Sequence, residues 1–288
     1  MQFFPPSELV LSGKNQVYHL GLKPENLAEK VIIVGDQDRV ELVSNFFDTI
    51  EHKSQHREFV CHTGIYQGKR ISILSTGIGT DNIDIVINEL DALVNIDLDT
   101  RIENTQKKSL EIIRIGTCGI LQSDIPVHSY ILSKYALGFD NVAHFYDITF
   151  SDDEIEFNSR INDHLMLPQT IQTYFSSADR ILVDRLNSEI TKVGITITSS
   201  GFYGPQGRTL RIPTHLREIH LKLGSFQFNN EKILNFEMES SALFTLGKQL
   251  GHKCATICLG VANRPNLEFS KGYEDEMKGL ISYVLNRI

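Results

Sequence analysis

The stretch from Ile112 to Gly119, Ile-Ile-Arg-Ile-Gly-Thr-Cys-Gly, constrains this chain more than any other. Its β-branched apolar residues have the character of a strand inside a sheet, yet Arg114 stands among them two residues ahead of a glycine. Burying an unpaired guanidinium costs several kcal/mol, so either a carboxylate lies opposite Arg114 or the site receives an anion. Gly116-Thr117-Cys118-Gly119 reads as a turn beyond the strand, where open α/β sheets bind their ligands, and it would offer backbone donors and a hydroxyl there. A structural salt bridge below a tight turn is the other reading. This stretch alone leaves both open.

A second strand, Val31 to Val34, runs into Gly35-Asp36-Gln37-Asp38-Arg39, after which Val40, Val43 and Phe47 keep the spacing of one helix face. A strand, a glycine and a helix start together favour an anion. Arg39 sits in the first helical turn, where a cation opposes the helix dipole unless something negative is bound nearby; a solvent-facing arginine is the plainer alternative. Phe59 to Tyr66 and Arg70 to Thr76 form a hairpin pattern around Gln67-Gly68-Lys69. Ser75-Thr76-Gly77-Ile78-Gly79 then leads into a helix carrying Ile83, Val86, Ile87, Leu90 and Leu93 on one face. Two glycines fall short of a dinucleotide-binding fingerprint.

Further along, Tyr130 to Ala136 and Val193 to Ser199 are strands, and Ser177 to Ile190 is helix-like. Asp140 to Pro168 reads as irregular, with Ser151 to Glu154 an exposed acidic patch. Phe202-Tyr203-Gly204-Pro205-Gln206-Gly207-Arg208 sets aromatic faces beside an amide and a guanidinium, which suits a planar heterocycle bearing carbonyls and N–H groups; a surface turn with incidental aromatics is the alternative. Asn235 to Ser241 begins a helix in which Glu237 and Glu239, two residues apart, point in different directions. Cys254 to Val261 is a strand ending at Ala262-Asn263-Arg264. A final helix carries Met277, Leu280, Ile281, Val284 and Leu285. Strands alternating with helices predict a mixed sheet covered on both faces. We expect one domain over residues 1–288, with 1–14 a flexible arm and 97–108 an exposed insertion.

With 41% hydrophobic and 22% charged residues, the composition is that of a globular protein. A net charge of -8 without any Lys/Arg block argues against a nucleic-acid surface. No apolar run is long enough to span a bilayer, and Met1 to Val10 lacks the basic-then-apolar pattern of a signal peptide, so the expectation is cytoplasmic. Cys61, Cys118, Cys254 and Cys258 have no disulfide-framework spacing and read as small core residues. His52, His56 and His62 beside Cys61 invite a zinc reading, but no second ligand pair closes it.

Taken together the ordered motifs resemble the nucleoside phosphorylase family, and within it the bacterial uridine phosphorylases. The match runs through Val17-Tyr18-His19-Leu20-Gly21-Leu22, Gly35 to Val40, His56-Arg57-Glu58-Phe59, Ser75 to Gly79, Arg114 to Gly119, Phe202 to Arg208, Asn235 to Ser240 and Ala262 to Arg264. The resemblance implies a three-layer α/β/α sandwich around a central mixed β-sheet. It implies that phosphate is held by Gly35, Arg39, Arg114 and Thr117, with Arg57 supplied by a neighbouring subunit. Glu239 takes the ribose hydroxyls, helped by Met238 and by His19 from that neighbour. Gln206 and Arg208 read the uracil edge, Phe202 packs near the nucleoside and Arg264 helps close the base pocket. It further implies a homodimer with shared sites, commonly a trimer of such dimers, and inorganic phosphate as co-substrate with no cofactor. Some relatives hold a potassium ion at positions matching Glu58, Ile78 and Asn82, the last a serine in those relatives. This chain also has Gln37 where the family usually has proline, Gly204-Pro205 where it has Pro-Gly, and Gly207 where it has glutamate.

The chemistry accounts for such an inventory. Phosphorolysis passes through a state in which the sugar gains positive charge while the base departs with negative charge, and phosphate attacks from the opposite face. Arginines at the two ends therefore have different tasks: orienting the nucleophile at one, stabilising the departing pyrimidine at the other. The activity so implied is conversion of uridine and phosphate into uracil and ribose 1-phosphate. A purine nucleoside phosphorylase or a nucleosidase of the same fold is the enzymatic alternative, and a non-catalytic nucleoside-binding protein the other. On this reading Arg114→Ala abolishes turnover and leaves the fold intact.

Overall fold

The computed structural model describes residues 2–288. In chain order β1 (Lys30–Val34), α1 (Gln37–Ser44), β2 (Thr49–His56), β3 (Phe59–Tyr66), β4 (Lys69–Ser75) and α2 (Thr80–Asn95) come first. The short pair β5 (Ile96–Asp97) and β6 (Ile102–Glu103) precedes β7 (Glu111–Ile120), β8 (Tyr130–Phe139), α3 (Asp152–Leu165), β9 (Tyr174–Ser177), α4 (Arg180–Leu186) and β10 (Thr191–Ser199). The chain closes with α5 (Ile219–Gly224), β11 (Gln227–Phe228), β12 (Glu231–Glu237), α6 (Ser240–Gln249), β13 (Lys253–Asn263), β14 (Glu268–Phe269) and α7 (Glu274–Leu285).

One mixed sheet of twelve strands runs β11-β12-β10-β8-β13-β7-β1-β4-β3-β2, with β14 on β13 and β9 on β8. Helices cover both faces, as expected. Alternation along β1 and β7 decides which residues go where. Val31, Ile33 and Ile112 pack with α2 and α6, whereas Ile32, Val34, Ile113 and Ile115 pack with α1, α4 and α7. Arg114 shares the parity of Ile112, so its side chain leaves the sheet on the α6 side. The sandwich has one added feature. β12 also pairs with β7, Asn235 opposite Ile120 and Phe236 opposite Gly119. That contact closes β12, β10, β8, β13 and β7 into a ring and brings the end of β12 to the end of β7.

Several local expectations are corrected. Gly116 to Gly119 is no turn: it continues β7, with Gly116 opposite Cys258 and Thr117 opposite Leu259 on β13. The glycine is needed for a different reason, since a Cβ on Gly116 would stand 2.1 Å from Arg114 Nη1. Glycine here makes room for the guanidinium to fold back over its own strand. Residues 152–165 are helical rather than irregular, started by a capping box between Ser151 and Glu154 and anchored by Phe157, Ile161 and Leu165. Within the expected acidic patch Glu154 turns inward, where Ser177 and Lys248 donate to it. Ser177 ends a strand, and only Arg180–Leu186 of the following segment is helical. The 1–14 arm is tied down: Phe3 bridges Ile102, Phe4 N–H donates to Arg101 O, and Arg101 donates to Leu9 O. Arm and insertion therefore brace each other. Residue 1 lies outside the described residues.

At the opposite edge of the sheet from the glycine loops, Glu111 accepts hydrogen bonds from Arg185 at 2.9 and 3.1 Å and from Lys30 at 2.8 Å. The Arg185 bonds, aided by Lys30 against the opposing effect of burial, pull its carboxyl down to about 2. A pKa depressed by folding stabilises the native state above the unfolded value and ceases to do so as pH falls through the folded value. Glu111→Gln is expected to melt below the wild type at neutral pH. In thermal melts the gap should narrow as pH falls from about 4.5 to about 2; a gap constant with pH would contradict this.

Candidate active site

The carboxyl ends of β1, β4, β7, β10, β12 and β13 open into a cavity of about 860 Å³. From the sequence-derived set it is lined by Gly35, Arg39, Arg114, Thr117, Phe202, Gln206, Arg208, Met238 and Glu239, together with Glu58, Ile78 and Asn82. His19, Arg57 and Arg264 lie outside this lining. Sequence reasoning did not single out Tyr273, Val261, Phe236 or Phe269, which also line it. Val261 owes its place to a β-bulge between Gly260 and Ala262, a feature that apolar patterning does not reveal.

At one end Arg114 is buried against two carboxylates: Nη1 lies 3.3 Å from Glu237, and Nη2 donates to Glu239. This resolves the choice left open by the strand: carboxylates lie opposite it. The Arg114 Nε–H nevertheless has no acceptor among the described residues. Glu237 and Glu239 reach the same guanidinium because the helix starts only at Ser240. Positions 237 and 239 belong to the end of the strand and its exit, and i and i+2 there share a side. The expectation that they point apart rested on placing the helix too early. Burial works against the Arg114 charge, but Glu239 and Glu237 outweigh it and hold its pKa above the ordinary value. Glu239, buried and beside a second carboxylate, is pushed up from the usual carboxylate range. Its Oε1 also accepts the Gly79 N–H at 2.7 Å.

Arg39 reaches the same end from α1, whose N-terminus is capped by Asp36 accepting the Asp38 N–H at 3.0 Å. Its guanidinium donates to Ile115 O at 3.3 Å and has no carboxylate within salt-bridge distance among the described residues. Burial and then the nearby Arg114 depress its pKa. Arg114 is compensated by its two carboxylates, so the half-buried Arg39 beside it is the charge there left open to an anion.

The other end is built from the loop after β10. Arg208 lies over the Phe202 ring, 3.8 Å from its centroid, donates to Phe202 O at 2.6 Å and holds the Gln206 side-chain oxygen. Arg264 donates to Gln206 O at 3.2 Å from behind. Burial, with Arg264 close by, lowers the Arg208 pKa to about 10. Gly207 adopts φ +70 with Ile219 packed where a Cβ would stand, which fixes the spacing of Gln206 and Arg208.

His19 and Arg57 share a patch outside the cavity. His19 Nδ1 lies 2.7 Å from Glu89, His56 donates to His19 O, and Arg57 sits over the Tyr18 ring at 5.5 Å. Glu58, Ile78 and Asn82 lie together at the cavity rim with a single carboxylate among them. Among the described residues no group of three or more His, Cys, Asp or Glu side chains is arranged to hold a metal ion.

A family model described as "Phosphorylase superfamily" matches residues 29–281. The chain belongs to the phosphorylase superfamily. Over 276 residues it is 29% identical to a uridine phosphorylase of Thermococcus kodakarensis, covering 95% of this chain and 87% of that one. It is 28% identical over 240 residues to a DeoD-type purine nucleoside phosphorylase of Brevibacillus brevis, 83% of each chain. Among solved structures, a Trypanosoma brucei nucleoside phosphorylase described as showing uridine phosphorylase activity superposes with a TM-score of 0.88 at 28% identity, covering 97% of this chain and 99% of that one. The superfamily resemblance read from the motifs is thus borne out, as is its mixed α/β fold.

The two carboxylates on Arg114 revise one consequence drawn from the sequence. Removing a single member of a buried ion cluster leaves the rest uncompensated, at a cost of about 3–5 kcal/mol. Arg114→Ala should therefore lose stability as well as turnover. In thermal melts the deficit should be largest at neutral pH and shrink as acid protonates the buried Glu239, whose carboxyl already sits above the usual range; a variant as stable as wild type at pH 7 would contradict the burial argument.

Proposed function

We propose that this chain is a uridine phosphorylase, converting uridine and inorganic phosphate into uracil and ribose 1-phosphate. The observation that carries the reading is the set of groups gathered on one cavity. Arg39 and Arg114, the latter in contact with Glu239, share its lining with Met238, Gln206 and Arg208. A nucleoside laid along it puts its ribose diol on Glu239 and its pyrimidine edge on Gln206 and Arg208, with phosphate beneath the anomeric carbon. Phosphate is held by Gly35, Arg39, Arg114 and Thr117. The unpartnered Arg114 Nε–H supports this, since a bound oxyanion would satisfy it. The nucleophile is the co-substrate, so no protein nucleophile and no cofactor is required. As negative charge gathers on the base carbonyls, Arg208 and Gln206 stabilise it, and burial makes that interaction stronger than it would be in water.

On the same reading, His19 and Arg57 serve a neighbouring copy's cavity. Both are preorganised on one surface patch, His19 by Glu89 and Arg57 by Tyr18, and neither reaches its own cavity. A homodimer with shared sites, assembled as a trimer of dimers and working in the cytoplasm, belongs to this proposal. No helix of the described residues is long and apolar enough to cross a membrane.

The purine nucleoside phosphorylases among the relatives define the competing reading. Against it stands Arg264, bonded behind Gln206, where a purine enzyme is expected to place an aspartate that protonates the ring. The test is consumption of uridine and of inosine, each with and without phosphate. Uridine cleaved only with phosphate, and inosine cleaved at least about tenfold more slowly, a pocket contact's worth of discrimination, is the expected result. Cleavage without phosphate would make the protein a nucleosidase, faster cleavage of inosine a purine enzyme, and binding without turnover a non-catalytic nucleoside-binding protein.

A further inference from the structure

The two carboxylates on Arg114 are held in different ways. Glu237 is saturated by fixed donors: Thr198 Oγ1 at 2.5 Å, the Glu239 N–H at 3.0 Å, and the Ser240 N–H at 3.0 Å to each oxygen. Three of these bonds come from backbone at the start of α6, where the helix dipole also favours a negative charge. Thr198 is itself fixed, because its hydroxyl accepts the Ser241 N–H at 2.9 Å. Glu239 has only two fixed donors, the Gly79 N–H at 2.7 Å and the Met238 N–H at 3.3 Å, and otherwise depends on Arg114. Its burial and the neighbouring Glu237 raise its pKa, the mark of a carboxylate under-compensated where it stands.

We infer that Glu237 is the positioning residue of the anion end, the permanent partner that holds the Arg114 guanidinium in place while Glu239 gives it up to take the ribose hydroxyls. The inference rests on reading the cavity as a phosphorolytic site. Without Glu237, a guanidinium released by Glu239 would keep only its weak donation from Nη1 to Cys258 Sγ at 3.4 Å, and could follow Glu239 or leave the phosphate position. Glu237 prevents both, because no bond it makes needs to be exchanged when substrates arrive. The glycine at 116 sets the other boundary, leaving space for the guanidinium along its own strand and for nothing larger.

Charge and position make opposite predictions for this residue, so a simple experiment separates them. Neutralising a carboxylate beside an anion site strengthens anion binding if charge alone matters, whereas loss of the anchor weakens it. Wild type, Glu237→Gln and Thr198→Val are titrated with inorganic phosphate by calorimetry, and the KM values for phosphate and for uridine are measured separately. Thr198→Val keeps every charge and removes only the hydroxyl that orients Glu237. We expect phosphate affinity to fall about tenfold or more in Glu237→Gln, the scale of a lost buried ion contact. A smaller fall in the same direction is expected for Thr198→Val, with the KM for uridine within about twofold of wild type in both, near the measurement's resolution. Unchanged or tighter phosphate binding in Glu237→Gln would overturn the inference, as would equal rises of both KM values together with a lowered melting temperature. Should the wild type bind phosphate but cleave no uridine, the functional reading fails. The phosphate titrations still decide the role of Glu237.

Discussion

A single arginine within a strand of isoleucines organises this molecule. Arg114 cannot be buried alone, and the structure meets that demand by bringing the end of β12 against the end of β7, so that Glu237 and Glu239 both reach the guanidinium. Closing five strands into a ring is the topological consequence. Placing a helix start, a glycine loop and an aromatic loop around the same point is the functional one. Gly116 and Gly79 are parts of that solution, the first by leaving space over the strand and the second by offering a main-chain donor to Glu239.

The cavity gathers charge of both signs. Arg39 and Arg114 line it with Glu237 and Glu239, and of the two guanidiniums Arg39 lacks a carboxylate partner among the described residues. Arg208 lines it as well, with Arg264 outside the lining and bonded to Gln206 O, both depressed in pKa by burial and neither in a salt bridge among the described residues. On the proposed reading, Glu239 turns from Arg114 to the sugar hydroxyls, so that substrate binding would exchange partners within a nearly neutral cluster and keep the desolvation cost of an anionic co-substrate low.

Much of this was legible in the sequence because it depends on local periodicity. The alternation of Val31 to Val34 and of Ile112 to Ile115, and the helical spacing of Ile83 to Leu93, are consequences of backbone geometry that any packed sheet must obey. What escaped were features set by distant partners. Glycine and threonine at 116 and 117 have turn chemistry in isolation, yet pairing with β13 keeps them extended. The acidic run at Ser151 looked like surface until Lys248 and Ser177 supplied partners for Glu154. Glu237 and Glu239 are opposed if a helix begins at Asn235, but α6 begins at Ser240, and a pair two apart at a strand end shares a side. The positions of His19, Arg57 and Arg264 relative to the cavity could not be read from motif order.

A structure with inorganic phosphate and a non-cleavable uridine analogue tests the central claim most directly. The account predicts phosphate within hydrogen-bonding distance of both Arg39 and Arg114, with Glu239 turned from the guanidinium to the ribose hydroxyls and Glu237 unmoved. Phosphate bound elsewhere, or Arg114 still paired with Glu239 while both ligands occupy the cavity, would contradict it.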